Sequence, residues 1–244
     1  MIIEHGNAFN AVGSPRFLVV SIYDDHPPGP EWTKSTSLKA FSELVHLSAN
    51  RFANKNCAIV TDAWRWMRTL VRGHPSVQTY YEKDAYPVPV YKLVHLEILG
   101  SRCAVLLVHA PDFRRLPYAK AMSILVSLNR TVHEMCALRG GRAEDARMSP
   151  LCAGAFATPP ALPKILGACV DELFTRTSAP VSVYGFSAPE YAALKAHEAR
   201  RANDLGLKSR TPTRTSSALT PTRPSTTPTP TPTRTFTRTT RAGP

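Results

Sequence analysis

The run Cys103-Ala-Val-Leu-Leu-Val-His109 constrains the architecture more than any other segment of this chain: six apolar residues in a row, with no polar alternation, close on a histidine. A strand with one solvated face alternates. One without alternation is covered on both faces, which is the habit of the middle of a parallel or mixed sheet lying between helices. Phe17–Ile22 is a similar buried strand that opens into Asp24, Asp25 and a Pro27-Pro28-Gly29-Pro30 cluster. Tyr91–Leu99 precedes the Cys103 strand across Gly100-Ser101-Arg102, a spacing that suits a hairpin or tight turn. Val181–Phe186 reads as a closing strand and Cys57–Val60 as another short one.

Helical periodicity separates these strands. Ser35–Phe52 places Leu38, Phe41, Leu44, Val45 and Leu47 mostly on one face. Ala63–Val71, Lys120–Leu138, Leu162–Thr175 and Pro189–Asn203 read as further helices, and Gly140-Gly141 stops the third of these five because glycine accepts the left-handed conformation at a helix end. Arg72–Pro89 loses the pattern and reads as an insertion or long loop. Strands alternating with helices predict an α/β protein, a three-layer α/β/α sandwich with a central mixed sheet.

Composition divides the chain at about residue 206. From Leu207 to Pro244 there are 14 Thr and 7 Pro, no acidic residue, and seven of the cations behind the formal net charge of +12. Such a segment buries no apolar surface, so 1–206 is the expected folded domain and 207–244 a disordered basic tail. The tail repeats Thr-Pro-Thr-Arg at Thr211, Thr220 and Thr231, the form that proline-directed kinases accept. Phosphorylating all three adds about −4.5 to −6 of charge, nearly cancelling the tail's seven positive charges. Either the tail grips nucleic acid or an acidic protein until it is modified, or it is a passive solubilising arm.

Five cysteines with no Cys-x-x-Cys pair, and no histidine cluster at zinc spacing, argue against a disulfide framework or a structural metal. Met1-Ile-Ile-Glu-His-Gly6 lacks a basic region followed by an apolar run, and no stretch approaches the ~18 apolar residues of a membrane span. The expectation is an intracellular protein, cytoplasmic or nuclear, without a signal peptide or membrane partner.

In an open α/β sheet, ligands sit beyond the carboxyl ends of the strands. That rule gathers Asp24 and Asp25, His109–Asp112, Cys152–Phe156 and Phe186-Ser187 on one rim. The small residues Cys152, Ala153, Gly154 and Ala155, followed by Phe156, form a loop whose successive N–H groups turn toward an anion; Gly154 supplies conformational freedom and the helix from Leu162 its positive end. The alternative is a tight strand-to-helix connection and nothing more. A helix N-terminus lowers a thiol pKa, which makes Cys152 a candidate reactive cysteine, but no histidine has an evident pairing with it. Asp24 and Asp25 are either paired carboxylates for acid–base work or an ordinary turn.

The order of these segments resembles a macro domain, the ADP-ribose-binding module. His109-Ala110-Pro111 stands 45 residues before Gly154, and Pro150-Leu-Cys-Ala-Gly-Ala-Phe-Ala-Thr-Pro159 is similar to the family's diphosphate loop apart from Cys152 and Ala157. The early segments depart from the family. Gly6-Asn7 stands where Gly-Asp is usual, and Asp24 falls near a missing pair of asparagines, with no glycine loop after it.

The resemblance implies ADP-ribose as the ligand, no cofactor and no metal. Asn7 and either Phe186 or Tyr184 are assigned to adenine, and His109, Ala110, Asp24 and the loop Cys152, Ala153, Gly154, Ala155, Phe156 to the diphosphate and distal ribose. It also implies ADP-ribosylated macromolecules as partners. Asp24 is the candidate catalytic residue for hydrolysis of a mono-ADP-ribosyl link, although the departures favour a binding module over an efficient enzyme. The alternative is a non-catalytic nucleic-acid- or protein-binding adaptor with a degenerate cleft and a phosphorylation-regulated tail.

Overall fold

The structure, a computed structural model, describes residues 1–11, 13–22, 36–47, 53–70, 89–154, 156–175 and 178–207. In chain order its elements are β1 (Ile2–His5), β2 (Phe17–Ser21), α1 (Thr36–Leu47), α2 (Ala53–Thr69), β3 (Tyr91–Ile98), β4 (Ser101–Val108), α3 (Tyr118–Arg139), β5 (Ala146–Met148), α4 (Leu162–Leu173), β6 (Ser182–Gly185) and α5 (Ala188–Asp204). The strands form one mixed sheet ordered β1-β6-β5-β2-β4-β3. Only β3 runs against its neighbour; the other pairings are parallel.

β4 is buried from Cys103 to Val108, as its unbroken apolar run requires, with β2 and β3 on either side and helices over both faces. α1 and α2 pack on each other and on the β2–β3 side of the sheet, while α3 packs on α4, α4 on α5, and α5 on β1 and β6. α3 ends on Gly140 in the left-handed conformation (φ 57°), whose N–H donates to the carbonyl of Ala137. The β3–β4 hairpin turns through Leu99 (φ 49°) and Gly100 (φ 75°). Two central residues with positive φ are what a two-residue hairpin needs, because that turn matches the twist of the strands.

Cys57–Val60 is not a strand. It lies inside α2, where Asn56, Val60, Ala63, Trp64 and Met67 are buried at helical spacing. Four apolar residues are too few to distinguish the two periods, and the helix expected from Ala63 is the second half of a longer one. Two strands were not anticipated: β1 and β5, four and three residues long, too short to show a pattern of their own. The expected Arg72–Pro89 insertion, apart from Pro89 itself, and the tail beyond Leu207 lie outside the described residues. All five cysteines are free thiols, and among the described residues no helix is long and apolar enough to cross a membrane.

Candidate ligand-binding cleft

Parallel strands bring the segments that follow β1, β6, β5, β2 and β4 to one edge of the sheet. Pairing continues one residue past two of these strands: Ile22 N–H donates to Val108 O at 2.9 Å, and Gly6 N–H to Gly185 O at 3.0 Å. β5 adjoins β2, and β2 adjoins β4. The loop leaving β5 nevertheless bonds to the segment leaving β4: Phe113 N–H donates to Phe156 O at 3.0 Å and the Cys152 thiol to Pro111 O at 3.3 Å. The Cys152–Phe156 loop therefore passes over the carboxyl end of β2 and is fastened on its far side.

Within the loop, Ala153 N–H closes a turn on Pro150 O at 3.3 Å and Ala157 N–H one on Gly154 O at 3.1 Å. Those two donors are spent. Among the described residues no acceptor takes the N–H of Cys152 or of Gly154. Cys152 is 4% exposed, and a buried donor without an acceptor costs about 1–3 kcal/mol, whereas Gly154 is exposed and its N–H faces water.

The left-handed residue of the loop is Cys152 (φ 65°), not Gly154, whose φ is not positive. The thiol is also not activated. Burial, reinforced by the negative charge of Asp112, raises its pKa well above the usual thiol range. Its proton is used on the Pro111 carbonyl instead. Gly154 is exposed, and a Cβ placed on it meets no atom within 4 Å. α4 begins at Leu162 beyond a turn of its own, with Ala161 and Leu162 N–H both donating to Thr158 O, so its first turn is separated from the loop.

His109 and Ala110 are buried, and His109 N–H donates to Val90 O at 2.9 Å. Asp112, three residues on, is buried and accepts from Arg114 Nε at 2.8 Å and Nη2 at 2.6 Å, with Arg115 Nε at 3.7 Å. Burial is the largest single influence on this carboxyl and opposes ionisation; the hydrogen bonds and charges of Arg114 and Arg115 outweigh it, and the pKa is lowered. Arg114 then lies 5.9 Å from the centre of the Phe156 ring. Phe156 is half-buried against the core, joining the loop to the domain while part of its ring stays accessible.

At the other end of the rim, β1 and β6 end side by side at His5 and Gly185, so Asn7 and Phe186 follow neighbouring strand ends. Asn7 Oδ1 accepts from Phe9 N–H at 3.0 Å, leaving the Nδ2 donors and a second oxygen lone pair. Phe186 is 51% exposed. Its backbone is fixed by the Ser-x-x-Glu signature of a helix start: Phe186 N–H donates to Glu190 Oε2 at 3.0 Å and Glu190 N–H to Ser187 Oγ at 3.3 Å. Tyr184 is half-buried, and burial raises its pKa. Gly185 allows this approach, since a Cβ there would stand 2.7 Å from the Tyr191 backbone. Asp24 and Ala155 lie outside the described residues.

One contributor carried no sequence signal. Arg147, buried in β5, donates from Nη1 to Ala11 O at 2.9 Å and Gly13 O at 3.2 Å, tying down the chain that follows Asn7.

No protein-family model matches the sequence, and no curated protein matches it. Solved structures do. A mutant macrodomain of Oceanobacillus iheyensis with ADPR superposes with a TM-score of 0.54 at 13% identity, covering 83% of this chain and 92% of that one. The same macrodomain with MES gives 0.54 at 12% over 83% and 92%, and with ADP 0.53 at 12% over 83% and 90%. The chain has the macrodomain fold, in a divergent sequence.

Proposed function

We propose that the cleft binds ADP-ribose or a related nucleotide diphosphate, with the diphosphate on the Cys152–Phe156 loop and adenine near Asn7 and Phe186. The observation that carries this reading is the pair of N–H groups of Cys152 and Gly154, without acceptors among the described residues, in a loop fastened across the end of β2. Backbone donors of this kind form charge-assisted bonds with phosphate oxygens and need no lysine. Two of the structures with the same fold carry ADPR and ADP. Binding rather than hydrolysis is the principal activity in this reading; Asp24 is the residue to which hydrolysis of a mono-ADP-ribosyl link, on an ADP-ribosylated macromolecule, is assigned. Calorimetry with ADP-ribose, ADP and AMP tests the ligand class: the first two bind, and AMP, which has no diphosphate, binds at least tenfold more weakly. Equal affinity for AMP would place the recognition on the base and not on the loop.

A second reading rests on the tail, whose seven cations stand without an acidic residue. In it the tail holds nucleic acid or an acidic protein, and a proline-directed kinase acting on Thr211, Thr220 and Thr231 releases it. Binding that ignores salt, or is unchanged when the three threonines are replaced by aspartate, contradicts it.

A further inference from the structure

A second cluster of polar side chains lies at the opposite end of the strands. Phe17, Ala104 and His95 are directly opposed across β2, β4 and β3, and Arg102 is opposed to Glu97, so His95, Glu97, Arg102 and Phe17 share one face of the sheet. Arg139, at the last turn of α3, stacks on the Phe17 ring at 4.8 Å and so closes over the same face. Lys55, Asn56 and Ile59 of α2 border the strand edge. Lys55, Asn56, Ile59, His95, Glu97 and Arg102 line an open depression of about 250 Å³, and Arg139 stands beside that lining, close enough for its charge to act on His95.

The charges in this depression are unbalanced. Arg16, Arg114, Arg130 and Arg142 each have a carboxylate within 4.0 Å. Among the described residues Lys55 and Arg102 of the lining, and Arg139 beside it, have none, and Glu97 is the single acid of the lining. The strand edge is closed to a peptide: buried Asn56 donates from Nδ2 to Glu97 O at 2.9 Å and accepts Glu97 N–H on Oδ1 at 3.1 Å, occupying the groups that an added strand would use. Recognition here runs through cationic side chains, and the volume falls below the roughly 300–1,000 Å³ of a site for a drug-sized ligand. A phosphoryl group with its adjoining sugar fits that size better than a whole dinucleotide.

We propose that this depression is a second anion site, remote from the cleft, in which Lys55 and Arg102 hold the phosphoryl group of a phosphate ester, His95 donates a hydrogen bond to it, and Arg139 adds its charge from beside the lining. The ester comes either from a free sugar phosphate or from a nucleic-acid backbone. Burial, then the charges of Arg102 and Arg139, hold the His95 pKa below the ordinary imidazole range. An anion among these cations reverses the charge effect, so His95 reports occupancy of this depression.

The test is an NMR titration of His95 in the full chain, its signal assigned with His95→Gln, in the presence of inorganic phosphate, ribose 5-phosphate or a short single-stranded oligothymidylate, and of chloride at equal ionic strength. Occupancy raises the His95 pKa by about one unit, Arg102→Gln abolishes the rise, and calorimetry with ADP-ribose is unchanged in that variant. Saturation by the oligonucleotide at a concentration at least tenfold below ribose 5-phosphate identifies a nucleic-acid backbone; the reverse, or parity, identifies a free ester. A rise matched by chloride, one that survives Arg102→Gln, or none with any probe overturns the proposal.

Discussion

Asp112 holds Arg114 through both carboxylate oxygens, at 2.8 and 2.6 Å, and thereby holds it over the Phe156 ring of a loop that belongs to a different strand. With the Phe113–Phe156 and Cys152–Pro111 bonds, this pair makes the segment leaving β4 and the loop leaving β5 one unit. Asp112 is buried while the Arg114 side chain is half exposed, so loss of the carboxylate charge strands no buried cation and costs only the charge-assisted hydrogen bonds. Asp112→Asn is expected to destabilise the fold by about 1–2 kcal/mol at neutral pH, measured by urea unfolding. The lowered carboxyl pKa sets the sign of the pH dependence: its stabilisation is complete above the ordinary value of 3.8 and disappears as pH falls through the depressed folded value. The variant's stability therefore changes less with pH below 3.8 than the parent's. An equal acid limb in both proteins would place the acid sensitivity elsewhere.

The Cys152 thiol is buried and held protonated, so in the native protein it is inert to iodoacetamide at pH 8. Cys57, partly exposed, is modified first, as peptide mass spectrometry would show. Rapid native labelling of Cys152 would mean that the loop opens away from Pro111.

Asn56 caps both main-chain groups of Glu97 on the open edge of the sheet. Asn56→Leu removes both bonds and leaves the Glu97 groups facing an apolar side chain. A loss of about 2–4 kcal/mol is expected on the cost of two unsatisfied polar groups. Denaturant titration measures it, and light scattering detects the strand-edge association that a bare edge invites. A change under 0.5 kcal/mol would show that water replaces the amide at no cost.

Leu99 is exposed and adopts a positive φ of 49°, beside Gly100, in the β3–β4 turn. Leu99→Asn creates the Asn-Gly pair that this turn favours and is expected to stabilise the protein by about 1 kcal/mol. The thermal midpoint rises; a fall would mean that the Leu99 side chain makes a contact worth more than the backbone strain.

Much of the fold was legible because burial on both faces leaves a mark on the sequence, as in Cys103–Val108, and because Gly100 and Gly140 occupy the turn and the cap where their positive φ is used. The order of the rim segments followed from the same elements. Cys57–Val60 reads as a strand because an apolar quartet fits either period, and β5 leaves no signal because a three-residue strand has no period. The conformational freedom that local rules give to Gly154 is not used for a positive φ, which falls on Cys152 instead; the bond from the thiol to Pro111, 41 residues earlier in sequence, accompanies that arrangement and leaves no local signal. The Asp112–Arg114–Phe156 contact is likewise tertiary.

Gly154 offers the most direct test of the account, because it is exposed, its φ is not left-handed, and a side chain there meets no atom within 4 Å. Gly154→Glu should fold with an unchanged thermal midpoint while placing a carboxylate over the two amide donors. Calorimetry of the full chain with ADP-ribose is predicted to give one-to-one binding, weakened at least tenfold, or about 1.4 kcal/mol, by this substitution. No heat of binding from the unaltered protein, or equal affinity in the variant, would contradict a diphosphate site on this loop.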